Sequence, residues 1–128
     1  MANILLAEDD ELARYAIAKV LRKAGHSVRE AVNGSMAFDM VAQELPDLLI
    51  TDVVMPDCDG LSLLTDLRKQ HSTLPVLVIS GGGSNVGGDY LFFAERLGAS
   101  AILKKPFSND DLLARIDQLL PPGTLHGQ

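Results

Sequence analysis

The chain of 128 residues has the size of one domain, and its 47% hydrophobic and 22% charged content excludes a disordered or fibrous protein. Eleven Lys and Arg against 17 Asp and Glu leave a net charge of -6, which argues against a general binder of nucleic acid or of anionic membranes. A single cysteine, Cys58, rules out an internal disulfide, the opening MANILLAEDDE lacks a signal-peptide pattern, and no apolar run approaches the roughly 20 residues of a membrane helix, so a cytoplasmic location is expected.

The first predicted strand, residues 4–7, runs straight into Glu8, Asp9 and Asp10. A helix over 11–24 follows, with Ala13, Ala16, Ile17, Val20 and Leu21 on one face, Arg14, Lys19, Arg22 and Lys23 elsewhere as a solvated surface, and Gly25 as its stop. A second strand over 28–31 leads into a helix over 35–44. The third strand, 48–52, is oily until it ends in Asp52, with Pro56 and Gly60 closing the segment behind it. A carboxylate at the end of a buried strand is costly unless something compensates it.

After a helix over 61–69, the fourth strand, 76–80, stops at Ser80 and gives way to the loop GGGSNVGG over 81–88. That loop lacks the Gly-Lys-Ser/Thr end of a P-loop and the spacing of a dinucleotide fingerprint, and is read as a flexible connection. A helix over 89–97 places Tyr90, Phe93, Ala94 and Leu97 on one face. Phe92 is left with Glu95 and Arg96 on the polar side, where a lone aromatic is a candidate interface anchor. The fifth strand, 101–104, runs into Lys104, Lys105 and Pro106, and a helix over 108–120 opens with Ser108 followed by Asp111, a capping-box-like start. The domain is expected over 1–120, with PPGTLHGQ over 121–128 as a loose tail and no output domain behind it. His26, His71 and His126 lie among turn and tail residues and are given no chemistry.

Strict alternation of strand and helix predicts an α/β fold, a three-layer doubly wound sandwich whose parallel sheet is covered on both faces. Its site should lie beyond the carboxyl ends of the strands, where strand order reverses. Glu8, Asp9, Asp10 and Asp52 all fall on that edge. Two carboxylates about 4 Å apart repel by roughly 4 kcal/mol at an effective dielectric near 20, so the group needs protons or a cation. Oxygen-only ligands suit Mg²⁺, and Mg²⁺ commonly works beside phosphate. Ser80 and one of Lys104 and Lys105 supply the hydroxyl and the ammonium that phosphoryl oxygens require, with Asp52 as the nucleophile. Read singly, the acids are an ordinary helix start, Asp52 a turn aspartate and Lys105 a surface lysine; their convergence on one edge favours a site.

AEDD after the first strand, TDVVMPDCDG around Asp52, Ser80 after LVI, LGAS before the fifth strand and KPF at 105–107 together resemble the receiver domain of bacterial two-component response regulators, over 3–120. The resemblance implies a sheet ordered 2-1-3-4-5 and phosphorylation of Asp52 by a histidine kinase or a histidine phosphotransfer protein. It also implies Mg²⁺ held directly by Asp9, Asp52 and the Val54 carbonyl, with Glu8 acting through water and Asp10 peripheral. Lys105 rather than Lys104 takes the lysine position, before a cis proline, and Ser80 becomes the switch hydroxyl. The surface expected to change contacts is the helix over 89–97, the fifth strand and the last helix, toward an unknown protein target or a second copy of the chain.

Two departures from the family pattern stand out. Ile102 replaces the aromatic residue or histidine common in the fifth strand, which shifts the coupling role to Ser80 and the glycine loop. Val54 and Gly82, two residues beyond Asp52 and Ser80, cannot orient a water, so slow self-dephosphorylation is expected. Two rival readings keep the fold. One is a constitutive adapter without phosphorylation. The other is a metal-dependent phosphatase, which Val54 disfavours because a second aspartate is missing there.

Overall fold

The computed structural model describes residues 2–52, 60–71, 73–80, 96 and 98–120. Five strands, β1 (Asn3–Ala7), β2 (Ser27–Ala31), β3 (Leu48–Asp52), β4 (Val76–Ser80) and β5 (Ala101–Lys104), form one sheet in the order β2-β1-β3-β4-β5. Every neighbouring pair is parallel. The described helices are α1 (Glu11–Lys23), α2 (Gly34–Gln43), α3 (Gly60–Gln70) and α4 (Asn109–Leu119). The expected fold class and strand order are both found, and the strand bounds differ from expectation by at most one residue.

Alternation along the central strands divides the core into two layers. Leu5, Ala7, Leu49, Val76 and Val78 face α2 and α3, meeting Ala37, Val41, Leu63, Leu64 and Leu67. Ile4, Leu6, Leu48, Ile50, Leu77 and Ile79 face α1 and α4, meeting Ile17, Ala18, Leu21, Leu112 and Ile116. Ile102 is half-buried and packs against the α2/α3 layer. The buried stripe of α1 is rotated slightly from the expected one: Ala18 is buried and Ala16 is exposed.

Short polar devices fix the helix ends. The Asp10 carboxylate accepts from Leu12 N–H to start α1, the Asn33 side chain accepts from Met36 N–H to start α2, and the Ser108 hydroxyl accepts from Asp111 N–H to start α4. Gly25, at φ 100°, ends α1: its N–H donates to the Arg22 carbonyl and His26 N–H to that of Leu21, the double bond of a Schellman turn. The Lys105–Pro106 peptide is cis. Among the described residues no helix is long and apolar enough to cross a membrane.

Candidate functional site

Strand register builds the site before any side chain is considered. Ala7 pairs with Thr51, so Glu8 and Asp52, each one residue further along, emerge side by side where β1 and β3 adjoin. The chain order reverses there, with β2 on one side of β1 and β3 on the other. Asp52 pairs with Ile79 and Ser80 with Lys104, which brings the ends of β4 and β5 to the same rim.

Glu8 is 1% exposed and Asp52 7%, while Asp9 is exposed. One carboxylate oxygen from each of the three lies within 4.8 Å of the others. Lys105 Nζ donates to Glu8 Oε1 at 3.0 Å and, more weakly, to Asp52 Oδ2 at 3.4 Å. The second Glu8 oxygen accepts from Asp10 N–H at 3.1 Å. Lys104 is exposed, and of the two it is Lys105, only partly exposed, that reaches Glu8 and Asp52. Of the four acids expected to converge, Asp10 stands apart, its carboxylate spent on capping α1.

Among the described residues, three carboxylates and one ammonium share this pocket. Burial first, and then the negative charge of Asp52, push Glu8 up to about 7, against the hydrogen bonds from Lys105 and the Asp10 N–H. Burial pulls the Lys105 ammonium down, but its hydrogen bond to Glu8 and the charges of Glu8 and Asp52 outweigh that and hold it above its ordinary value. A buried carboxyl pushed up to about 7 even with the Lys105 ammonium 3.0 Å away, within an all-oxygen donor set, fits a hard divalent ion such as Mg²⁺.

The model for the response regulator receiver domain matches residues 4–117. The chain belongs to that family. As a receiver domain it is a component of two-component signalling, and it is 38% identical over 123 residues to the response regulator MprA of Mycobacterium avium and to that of Mycobacterium tuberculosis. That alignment covers 92% of this chain and 50% of either relative, so the chain spans about half the length of the curated relatives it matches. Among solved structures, the receiver domain of NtrX from Brucella abortus superposes with a TM-score of 0.85 at 32% identity, over 92% of this chain and 98% of that one. Chemotaxis protein CheY4 of Vibrio cholerae gives 0.85 at 26% identity, over 94% and 99%.

Of the residues singled out in the sequence, this receiver domain brings Glu8, Asp9, Asp52 and Lys105 together. Ser80 ends β4 on the same rim; its side chain lies outside the described residues, as do Val54, Phe92, Gly82, the loop over 81–88, most of the helix expected over 89–97 and the tail over 121–128. Sequence reasoning missed Arg14. Read as part of a solvated face, its side chain is only 14% exposed; Nη1 donates to the Glu8 carbonyl at 2.8 Å and Nε to Glu30 Oε1 at 3.2 Å. The signal was present, because Arg14 lies three, four and seven residues before Ile17, Ala18 and Leu21, on the buried stripe itself. His26 was also underread: its Nδ1 accepts from Ala2 N–H at 3.1 Å.

Proposed function

We propose that this receiver domain is a phospho-acceptor in which Asp52 takes a phosphoryl group from the phosphohistidine of a histidine kinase or histidine phosphotransfer protein, in a Mg²⁺-dependent reaction. The observation that carries this reading is the Lys105 ammonium set between two buried carboxylates, Glu8 and Asp52, on the rim where Asp9 joins them. We assign Asp9, Asp52 and the Val54 carbonyl to Mg²⁺ directly and Glu8 through water. Bound there, Mg²⁺ offsets the crowded negative charge and draws a phosphoryl oxygen.

The protein's own groups then have separate tasks. An Asp52 carboxylate oxygen attacks phosphorus; the new bond is O–P, the bond broken is P–N, and the electron pair leaves with the donor imidazole. The end of β3 holds that carboxylate in place, and its buried setting limits the water that could compete. Lys105, 3.4 Å from Asp52 Oδ2, donates to a phosphoryl oxygen after transfer. The Ser80 hydroxyl donates to another, and its movement, with the glycine loop behind it, reshapes the surface that includes Phe92, Ile102 and the last helix. The contacts so switched are with proteins, a second copy of the chain among the possible ones, rather than with nucleic acid. Because Val54 and Gly82 cannot orient a water, the phosphoryl group is long-lived, and Val54→Asn shortens its lifetime.

Mass spectrometry after incubation with a small-molecule phosphodonor tests the reading. A single phosphoryl adduct that needs Mg²⁺ and is absent in Asp52→Asn is the expected result. Turnover of the donor without an adduct indicates a hydrolase instead, and no reaction in the presence of Mg²⁺ overturns the proposal.

A further inference from the structure

Every polar atom of Glu8 is occupied. Its N–H donates to the Ala31 carbonyl at 3.0 Å, its carboxylate receives Lys105 and the Asp10 N–H, and its carbonyl receives Arg14 Nη1 at 2.8 Å. The last of these contacts differs in kind. The Glu8 carbonyl belongs to the planar peptide that joins Glu8 to Asp9, so whatever fixes it also fixes where the Asp9 Cα sits and limits the directions its exposed side chain can take. Arg14 is itself fixed from behind: Nε meets Glu30 Oε1 at 3.2 Å, and the other Glu30 oxygen takes Arg22 Nη2 at 3.1 Å, while Arg22 also reaches the Val28 carbonyl at 2.9 Å. The chain of contacts runs from the edge strand β2 through a planar two-donor fork to the peptide carrying Asp9.

We propose that Arg14 is a positioning residue of the acidic pocket, holding the Glu8–Asp9 peptide so that the Asp9 carboxylate converges with Glu8 and Asp52 on a divalent cation. The inference rests on the Mg²⁺ reading above. Electrostatics and positioning pull in opposite directions here, and that makes the role decidable. A guanidinium close to a cation site, taken only as a charge, weakens cation binding, so its removal should tighten Mg²⁺. Taken as a brace, its removal should loosen it, since groups that orient metal ligands typically contribute about 10- to 100-fold in affinity. Lysine keeps the charge but cannot span Glu30 and the Glu8 carbonyl with one rigid fork.

The experiment is Mg²⁺ titration of the metal-free chain by calorimetry, for the native protein, Asp9→Asn, Arg14→Gln, Arg14→Lys and Glu30→Gln, beside thermal unfolding in chelator. The expected result is that Arg14→Gln and Arg14→Lys both weaken Mg²⁺ by about tenfold or more. Glu30→Gln should weaken it less, because it removes only the support behind Arg14. Should Arg14→Gln not fold, the Arg14→Lys titration carries the same test. Unchanged or tighter Mg²⁺ binding in the Arg14 variants, with Asp9→Asn still abolishing it, overturns the positioning role and leaves the Mg²⁺ reading standing. Failure of the native chain to bind Mg²⁺ overturns both.

Discussion

The two rims of the sheet are built on opposite electrostatic plans. At the amino rim, Asn3, Asp47 and Arg68 are matched to partners. Asn3 N–H donates to Asp47 Oδ2 at 2.8 Å and Asp47 N–H returns to the Asn3 carbonyl at 2.7 Å, while the Asn3 amide reaches Glu44 at 2.7 Å. Arg68 sets its guanidinium on three carbonyls, those of His71, Leu74 and Gly98, at 2.7 to 3.0 Å, tying the end of α3 to the approaches of β4 and β5. Gly98, at φ 108°, leaves room for this: a Cβ there would come within 2.9 Å of Arg68 Nε. At the carboxyl rim one lysine faces three carboxylates, and a buried glutamic acid answers with a raised pKa. Among the described residues the amino-rim groups named above pair with one another, whereas at the carboxyl rim three carboxylates gather around one lysine, the arrangement the proposed Mg²⁺ would balance. Polar residues crowd both, so it is the charge balance that separates bracing from chemistry.

The comparison is broken most directly at Lys105. If that ammonium serves phosphoryl binding, Lys105→Met should slow adduct formation on Asp52 by about 100-fold. It should also tighten Mg²⁺ several-fold, because a competing positive charge has gone. Single-turnover phosphorylation and Mg²⁺ titration on the same variant check both signs. Equal loss of adduct rate and of Mg²⁺ affinity would mean that Lys105 only holds the rim together.

The amino rim should answer in stability alone. Arg68→Ala leaves three carbonyls short of a donor in a half-buried setting, and a loss of about 2–3 kcal/mol is expected in denaturant unfolding. Mg²⁺ affinity should stay within a factor of about two, since the two rims lie a strand apart and share no partner. A large drop in Mg²⁺ affinity would show that the rims are coupled.

The pH response of the metal-free protein separates them again. Glu8 has a folded pKa of about 7, above its ordinary 4.5, so it binds a proton in the folded state more readily than in the unfolded one. The stability it contributes is full below about 4.5 and is lost as pH rises toward 7, by something on the order of 1–3 kcal/mol. Urea unfolding in chelator between pH 4.5 and 7.5 should show that decline, Glu8→Gln should flatten it, and Mg²⁺ should offset it. A rise in stability over the same range that persists in Glu8→Gln would contradict the assignment.

Much of this was legible in the sequence. Residues 48–50 and 76–79 are apolar runs of the kind a sheet covered on both faces accepts, and the strands they belong to end in Asp52 and Ser80. Where the structure adds something, the reason is orientation. Asp10 and Asp9 are neighbours in the same acidic run, and only the turn into α1 decides that one caps the helix while the other joins the pocket. For Arg14, helical spacing already put the residue on the buried stripe, but its partners Glu8 and Glu30 are brought to it by the pairing of β1 with β2, a nonlocal fact that spacing does not encode. The charge deficit at the carboxyl rim was visible as a count of acids, but the raised Glu8 pKa needed burial, which no residue count supplies.

The smallest expected effect lies at the amino rim, at His26. Its Nδ1 accepts from Ala2 N–H, and only the unprotonated nitrogen can accept. Burial lowers its pKa below the ordinary 6.5, while the negative charge of Asp117 pulls the other way. A depressed folded pKa gives stability that is present above 6.5 and lost as pH falls through the folded value, opposite in sign to Glu8. The loss should be under about 1 kcal/mol, because the site is half-buried and Asp117 offsets part of it. Imidazole titration by NMR should place His26 below its ordinary 6.5, and the Ala2 amide should exchange faster once His26 is charged. A His26 that titrates at or above its ordinary value would show that even the amino rim holds an unmet negative charge, and the contrast between the two rims would narrow to one of degree.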